Sequence, residues 1–144
     1  MNTTKKIKLF LVDDDAVFLK ASEIEFLQNG DFIIEPYATG ELCVQSLSHN
    51  PDVIILDYYL NGIDKNAMNG IDTLDRIKEI NSGIPVIMLS SQDKIDVAIN
   101  CMHHKAYDYV VKSETAFVRL QKILTRIFQY KKIEKELNWY MERM

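Results

Sequence analysis

The 144-residue chain has two cysteines, Cys43 and Cys101. A pair this small and this widely spaced forms neither a disulfide framework nor a zinc knuckle, so both read as small buried thiols. Long apolar runs are also missing. The longest, 53–56 and 84–89, fall far short of the roughly 18 residues a membrane-spanning helix needs. The basic start Met-Asn-Thr-Thr-Lys-Lys leads into an apolar stretch, 7–12, that runs straight into three aspartates. No small-residue cleavage site follows it, so no signal peptide is expected. An excess of positive charge is absent too. The 17 Lys/Arg stand against 21 Asp/Glu, and a net charge of −4 disfavours nonspecific nucleic-acid binding.

What is present is ordinary globular composition, 47% hydrophobic and 26% charged, in a chain of one-domain length. Its charge is uneven. Residues 112–144 hold eight Lys/Arg against four Asp/Glu, whereas residues 1–111 hold nine against 17, so an acidic body carries a basic tail.

Short apolar runs alternate with segments of helical period. The spacing predicts strands at 7–12, 32–37, 53–56, 85–89 and 107–111. Between them it predicts helices carrying Val17, Ala21, Ile24 and Leu27; Leu42, Cys43 and Leu47, from Thr39 to about Asn50; Ile71, Leu74 and Ile77; and 93–104. A last helix is predicted from about Ser113. Strands as apolar as Val-Ile-Ile-Leu suit a parallel sheet covered on both faces, so the fold class is α/β, an open doubly wound five-stranded sheet. In such sheets the ligand crevice lies at the carboxyl ends of the strands.

Polar chemistry collects at those ends. The first strand ends in Asp13-Asp14-Asp15, the third in Asp57, the fourth in Ser90-Ser91 and the fifth in Lys112. Asp15 reads as the N-cap of the first helix. Converging carboxylates repel one another unless a cation intervenes, and Mg2+ with oxygen ligands relieves the repulsion. A carboxylate beside such a metal can attack phosphorus, with a hydroxyl and an ammonium holding the phosphoryl oxygens.

The runs Leu9-Phe10-Leu11-Val12-Asp13-Asp14-Asp15, Pro51-Asp52-Val53-Ile54-Ile55-Leu56-Asp57, Ile84-Pro85-Val86-Ile87-Met88-Leu89-Ser90-Ser91 and Ala106-Tyr107-Asp108-Tyr109-Val110-Val111-Lys112 resemble the receiver domain of bacterial two-component response regulators. The resemblance implies strand order 2-1-3-4-5 and a receiver over 1–128, followed by a helical extension over 129–144. It makes Asp57 the phosphoacceptor. Asp13, Asp14, Asp57 and the backbone carbonyl of Tyr59 become Mg2+ ligands. Ser90 and Lys112 become phosphoryl-binding groups, with Tyr109 as the switch aromatic, and Tyr59 and Gln92 occupy positions that modulate dephosphorylation. It further implies a cytoplasmic signalling module rather than an enzyme, with phosphorylation and dephosphorylation its only chemistry. Its partners would be a sensor histidine kinase or phosphotransfer protein and a downstream protein or second copy, contacted through helix four, strand five, helix five and the C-terminal helix. Neither nucleic acid nor membrane is an expected partner.

Three features depart from the family. Asn61 to Ala67 insert about five residues before Met68-Asn69-Gly70, a loop extension that costs little entropy or overhangs the acceptor. Ser113 replaces the usual proline after the lysine, so the Lys112–Ser113 bond is expected trans, with Ser113 capping the last helix. Lys105 replaces a small glycine before strand five. His49, His103 and His104 fall near helix ends and read as structural.

Beyond residue 128 about 16 residues remain, too few for a DNA-binding domain. No glycine or proline interrupts 113–144, which predicts one helix of about 30 residues, with Phe117, Leu120, Leu124 and Ile127 burying against the sheet. Two stripes compete farther on: Ile123, Ile127, Tyr130, Glu134, Leu137, Met141 and Met144, or Ile133, Leu137, Tyr140 and Met144. Two other functions stay open. One is a degenerate, phosphate-independent scaffold. The other is a haloacid-dehalogenase-like phosphatase, because Asp13-Asp14-Asp15-Ala16-Val17 also fits that family's nucleophile motif, although no acidic pair follows Lys112.

Overall fold

A strand that is apolar at every position must be covered on both faces, and β3 (Val53–Asp57) and β4 (Val86–Ser90) are buried at every residue. The computed structural model describes residues 6–62 and 64–144, so residues 1–5 and Ile63 of the insertion lie outside the described residues. The other elements are β1 (Ile7–Val12), α1 (Ala16–Gln28), β2 (Phe32–Tyr37), α2 (Gly40–Gln45), α3 (Gly70–Ile80), α4 (Ile95–His103), β5 (Asp108–Val111) and α5 (Ala116–Glu142). All strand pairs are parallel, in the order β2-β1-β3-β4-β5 that the family resemblance implies.

The chain forms two compact units, 1–112 and 113–144. In the first, Phe10, Val12, Ile54, Leu56, Val86 and Met88 pack with Cys43, Leu47, Leu74, Ile77 and Cys101 into one core, so both thiols are buried as read. Register sets the site. Val12 stands beside Leu56, Asp57 beside Leu89, and Ser90 beside Val111, which brings the four strand ends to one edge.

Several boundaries differ from the sequence reading. The second helix ends at Gln45 and gives way to a 3-10 turn, Leu47–His49, closed by Asn50 at φ 58°. Pro51 disfavours helical backbone at Asn50, and asparagine tolerates the left-handed region. The fourth helix starts at Ile95, after Lys94 in extended backbone, and no side chain caps it. The last spans 27 residues rather than about 30. Ser113 does not cap it: the flanking residue is Thr115, and the Ser113 hydroxyl lies 3.2 Å from the Thr115 hydroxyl instead. No peptide bond among the described residues is cis. Lys105 sits at φ 70° in the turn before β5, a conformation costing a side-chain-bearing residue about 1–2 kcal/mol.

The apolar repeat of α1 indicates a helix but not its buried face. Val17, Ile24 and Leu27 are exposed, and the buried residue is Phe26, edge-on to the Phe32 ring at 5.6 Å. In the second unit, Leu120, Ile123, Leu124 and Ile127 are buried and Phe117 is half-buried.

The start of α3 lies against the end of β3. The Gly70 amide donates to the Tyr58 carbonyl at 3.0 Å, and a Cβ on Gly70 would meet the Asp57 carbonyl oxygen at 2.4 Å and Tyr58 Cα at 2.7 Å. Only backbone could yield, so Gly70→Ala is expected to destabilise the chain by about 1–3 kcal/mol in urea unfolding. Gly83→Ala, whose nearest obstacle is a side-chain oxygen, Asn81 Oδ1 at 3.3 Å, is expected to cost less.

Candidate functional site

Asp13 follows β1 and stays in register because its amide donates to the Tyr37 carbonyl at 3.0 Å. Its Oδ1 accepts the Asp15 amide at 2.9 Å, while the Asp15 carboxylate turns away to cap α1 through the amides of Val17 and Phe18. The three consecutive aspartates therefore divide into a site pair and a cap. Asp57 closes β3 and Ser90 closes β4, and both are buried. Lys112 follows β5, its amide held by the Ser90 carbonyl at 2.7 Å.

Oxygens of Asp13, Asp14 and Asp57 lie within 4.8 Å of one another, the one such group of potential metal ligands among the described residues. Lys112 Nζ reaches Asp13 Oδ2 at 2.8 Å and Asp57 Oδ2 at 3.6 Å. The Phe18 ring lies 4.4 Å from the same ammonium and narrows the directions it can take. Burial and the neighbouring Asp13 charge push the Asp57 carboxyl up to about 7, against the opposing pull of Lys112 and the Tyr59 amide. Burial acts to lower the Lys112 pKa, but hydrogen bonding to Asp13 and the two carboxylate charges outweigh it and raise it.

The donor set fits a hard divalent cation. All three side chains offer carboxylate oxygens, and Asp14 Oδ2 is buried without a hydrogen-bond partner. Oxygens around Mg2+ at about 2.1 Å stand roughly 3–4 Å apart, so a small closure of this cluster would complete a coordination face.

The remaining sequence-selected residues border this cluster. The Tyr59 amide points at Asp57 Oδ1 at 3.4 Å, and its ring stands edge-on to Tyr58 at 4.8 Å. Ser90 Oγ accepts the Gln92 amide at 3.1 Å. The Tyr109 hydroxyl donates to the Gln92 carbonyl, which ties β5 to the segment after β4. Burial raises the Tyr109 pKa, so the phenol keeps its proton as a donor. The histidines lie elsewhere: His49 pairs with Glu35 at 2.6 Å and His104 with Asp75 at 2.7 Å.

The insertion begins beside the cluster and ends away from it. A Cβ on Gly62 would stand 3.4 Å from Asp14 Oδ2. Farther on, the Asn66 amide donates to Asp64 Oδ1 at 3.0 Å, and the Met68 amide donates to Glu41 Oε2 at 3.0 Å. Asn69 then caps α3 through the Asp72 amide at 2.8 Å. Phe18, Glu41 and Gly62 did not stand out in the sequence. Phe18 lies one turn after the Asp15 cap and so faces the strand ends, but Glu41 reads only as a favourable first-turn charge.

The raised Asp57 pKa has a consequence for stability. Its folded value of about 7 exceeds the ordinary 3.8, so the folded state holds this proton more tightly. The resulting stability is complete below the unfolded pKa and is lost as pH rises toward 7. Without added divalent cation, Asp57→Asn is therefore expected to raise the unfolding free energy above pH 7, by roughly 2 kcal/mol, and to flatten the loss between acid and neutral pH. Thermal melts across pH check this.

Comparison with known proteins agrees with this geometry. The family model for the response regulator receiver domain matches residues 9–125. A protein-glutamate methylesterase/protein-glutamine glutaminase of Clostridium acetobutylicum is 33% identical over 118 residues, 78% of this chain but 32% of that protein. The chain thus spans about a third or less of the first curated relatives it matches. The signal receiver domain of a LuxO repressor protein from Vibrio parahaemolyticus superposes with a TM-score of 0.78 at 23% identity, covering 92% of this chain and 98% of that one. CheY in a complex with CheX, beryllofluoride and magnesium from Borrelia burgdorferi superposes with a TM-score of 0.72 at 27% identity, covering 83% and 87%. With a doubly wound sheet, an acidic cluster and a lysine at its carboxyl edge, and a family match across most of its length, the chain belongs to the response regulator receiver domains of two-component systems.

Proposed function

We propose that this chain is a phosphoacceptor signalling module in which Asp57 takes a phosphoryl group from the phosphohistidine of a sensor histidine kinase or phosphotransfer protein. The observation that carries the reading is three clustered carboxylates, two of them buried, with one ammonium bridging Asp13 and Asp57. In the reaction a carboxylate oxygen of Asp57 attacks phosphorus, the P–N bond breaks, and the histidine leaves with the electron pair. Asp13, Asp14, Asp57 and the Tyr59 backbone carbonyl would hold Mg2+, which supplies charge neutralisation at the carboxylates and the phosphoryl oxygens. Attack requires Asp57 ionised, and Lys112 favours that form. Lys112 then moves its interaction from the carboxylates to a phosphoryl oxygen.

Ser90 carries the response. To reach the phosphoryl group its hydroxyl leaves the Gln92 amide, and Tyr109, bonded to the Gln92 carbonyl, follows. The signal leaves through α4, β5 and α5, to a downstream protein or a second copy. On the input side, the exposed apolar stripe Val17, Ile24 and Leu27 of α1 supports docking of the phosphodonor. Residues 1–128 form the receiver and 129–144 its extension. The module is cytoplasmic and has no catalytic turnover on another substrate. No helix among the described residues is long and apolar enough to cross a membrane.

Acetyl phosphate or beryllofluoride with Mg2+ is expected to modify the wild type, read by mass, and to leave Asp57→Asn unmodified. Modification that survives Asp57→Asn but is lost in Asp13→Asn points to phosphatase-like chemistry at Asp13, and no modification at all points to a scaffold. Tyr59 lies two residues past Asp57 with its amide at the Asp57 carboxylate and its side chain partly exposed; a ring that screens the acyl phosphate from water makes Tyr59→Asn shorten its half-life severalfold. Equal half-lives would reject that role for the ring.

A further inference from the structure

The fold decides between the two apolar stripes of the tail. One begins with Ile123 and Ile127, which are buried, and it contains Glu134. The other, Ile133 60%, Leu137 56%, Tyr140 64% and Met144 100%, is exposed throughout, and Tyr130 of the first stripe, 62% exposed and three residues before Ile133, extends it by one turn. Its first four members lie on α5, and Met144 follows the helix end. Their spacing alternates three and four, the a/d pattern of a coiled coil. We infer that residues 130–144 pair in parallel with the same segment of a second copy of this chain, an association that goes beyond phosphotransfer and does not depend on it.

The flanking charges select both partner and direction. With Tyr130, Leu137 and Met144 at a and Ile133 and Tyr140 at d, the e positions hold Glu134 and Met141 and the g positions Gln129, Glu136 and Arg143. A parallel pair sets Gln129 against Glu134 and Glu136 against Met141, with no like charges facing. An antiparallel pair that layers Ile133 against Leu137 sets Glu134 against Glu134 and Glu136 against Glu136, which is repulsive. The seam offers roughly 500 Å² per chain, about 1,000 Å² for the pair, near the lower limit for a specific interface. About two heptads of helix are also marginal alone, so the dimer is weak and concentration-dependent.

Trp139 argues against a lipid surface as the occupant. It lies on the opposite, basic side of α5 with Lys132 and Lys135, its ring covered by the Arg143 guanidinium at 3.8 Å and edge-on to Tyr140 at 5.2 Å. A helix lying in a membrane interface carries its tryptophan on the apolar face.

Sedimentation velocity of the full chain over a range of concentrations is expected to show a monomer–dimer equilibrium. Leu137→Glu and Ile133→Glu should abolish the dimer with unchanged circular dichroism, whereas Trp139→Ala and Asp57→Asn should retain it. Under mild oxidation Leu137→Cys should give a covalent dimer, because parallel pairing sets this position against itself. A monomer at every concentration overturns the proposal, as does a dimer indifferent to Leu137→Glu. Cross-linking only between Ile133→Cys and Leu137→Cys chains overturns the parallel arrangement. Binding of the monomer to phosphatidylserine-containing vesicles without self-association assigns the seam to lipid and likewise overturns it.

Discussion

Three carboxylates pressed into one pocket repel one another, and the Lys112 ammonium is the group that lets them stay. It reaches Asp13 and Asp57 together and gains a raised pKa in return, yet it does not offset the burial and the Asp13 charge that push the Asp57 carboxyl up to about 7. The pocket is therefore unsatisfied in the way a binding site must be. Any divalent cation or phosphoryl group that enters meets oxygens already gathered and a cation already placed. The sheet holds the strain. β3 and β4 are buried along their whole length, and Asp13, Asp57 and Lys112 have no slack because each continues a hydrogen-bonded strand.

Around this pocket the walls differ in stiffness. On one side α3 begins at Gly70, with backbone against the backbone of Asp57 and Tyr58. That contact fixes the height of the proposed acceptor relative to α3 and leaves no room for adjustment. The other side is the inserted loop, which passes Asp14 at Gly62 and is tied down only later, through Glu41 and Asn69. A longer connection between the same two anchor points adds little entropic cost, so the fold tolerates the insertion.

Much of the site was legible because each of its groups is the polar residue that ends an apolar run. Asp13, Asp57, Ser90 and Lys112 needed only the strand pattern and the rule that parallel sheets bind at their carboxyl edge. Helix ends were harder to read. Ser113 and Thr115 are both good cap types, and the backbone turn leaves neither with a capping bond. Residues 39–50 look like one helix, but the α-helix ends at Gln45 and a 3-10 turn follows, which the left-handed Asn50 before Pro51 closes. The stripe on α1 has a helix's period and faces outward, since period alone says nothing about which side meets the sheet.

Sequence by itself determined the strands, their parallel arrangement and the chemistry at their ends, because those follow from local hydrophobicity and from residue type. Tertiary structure decided which side chains share a pocket and at what distance. It set Lys112 between two carboxylates and over Phe18, separated Asp15 from Asp13 and Asp14, and brought Gly62 to the pocket from an insertion with no pattern of its own. It also chose one of two equally spaced stripes on the last helix by burying Ile123 and Ile127. The physical reason is the same in each case. Burial and electrostatics depend on neighbours that are distant along the chain, and only the packed sheet and helices specify them.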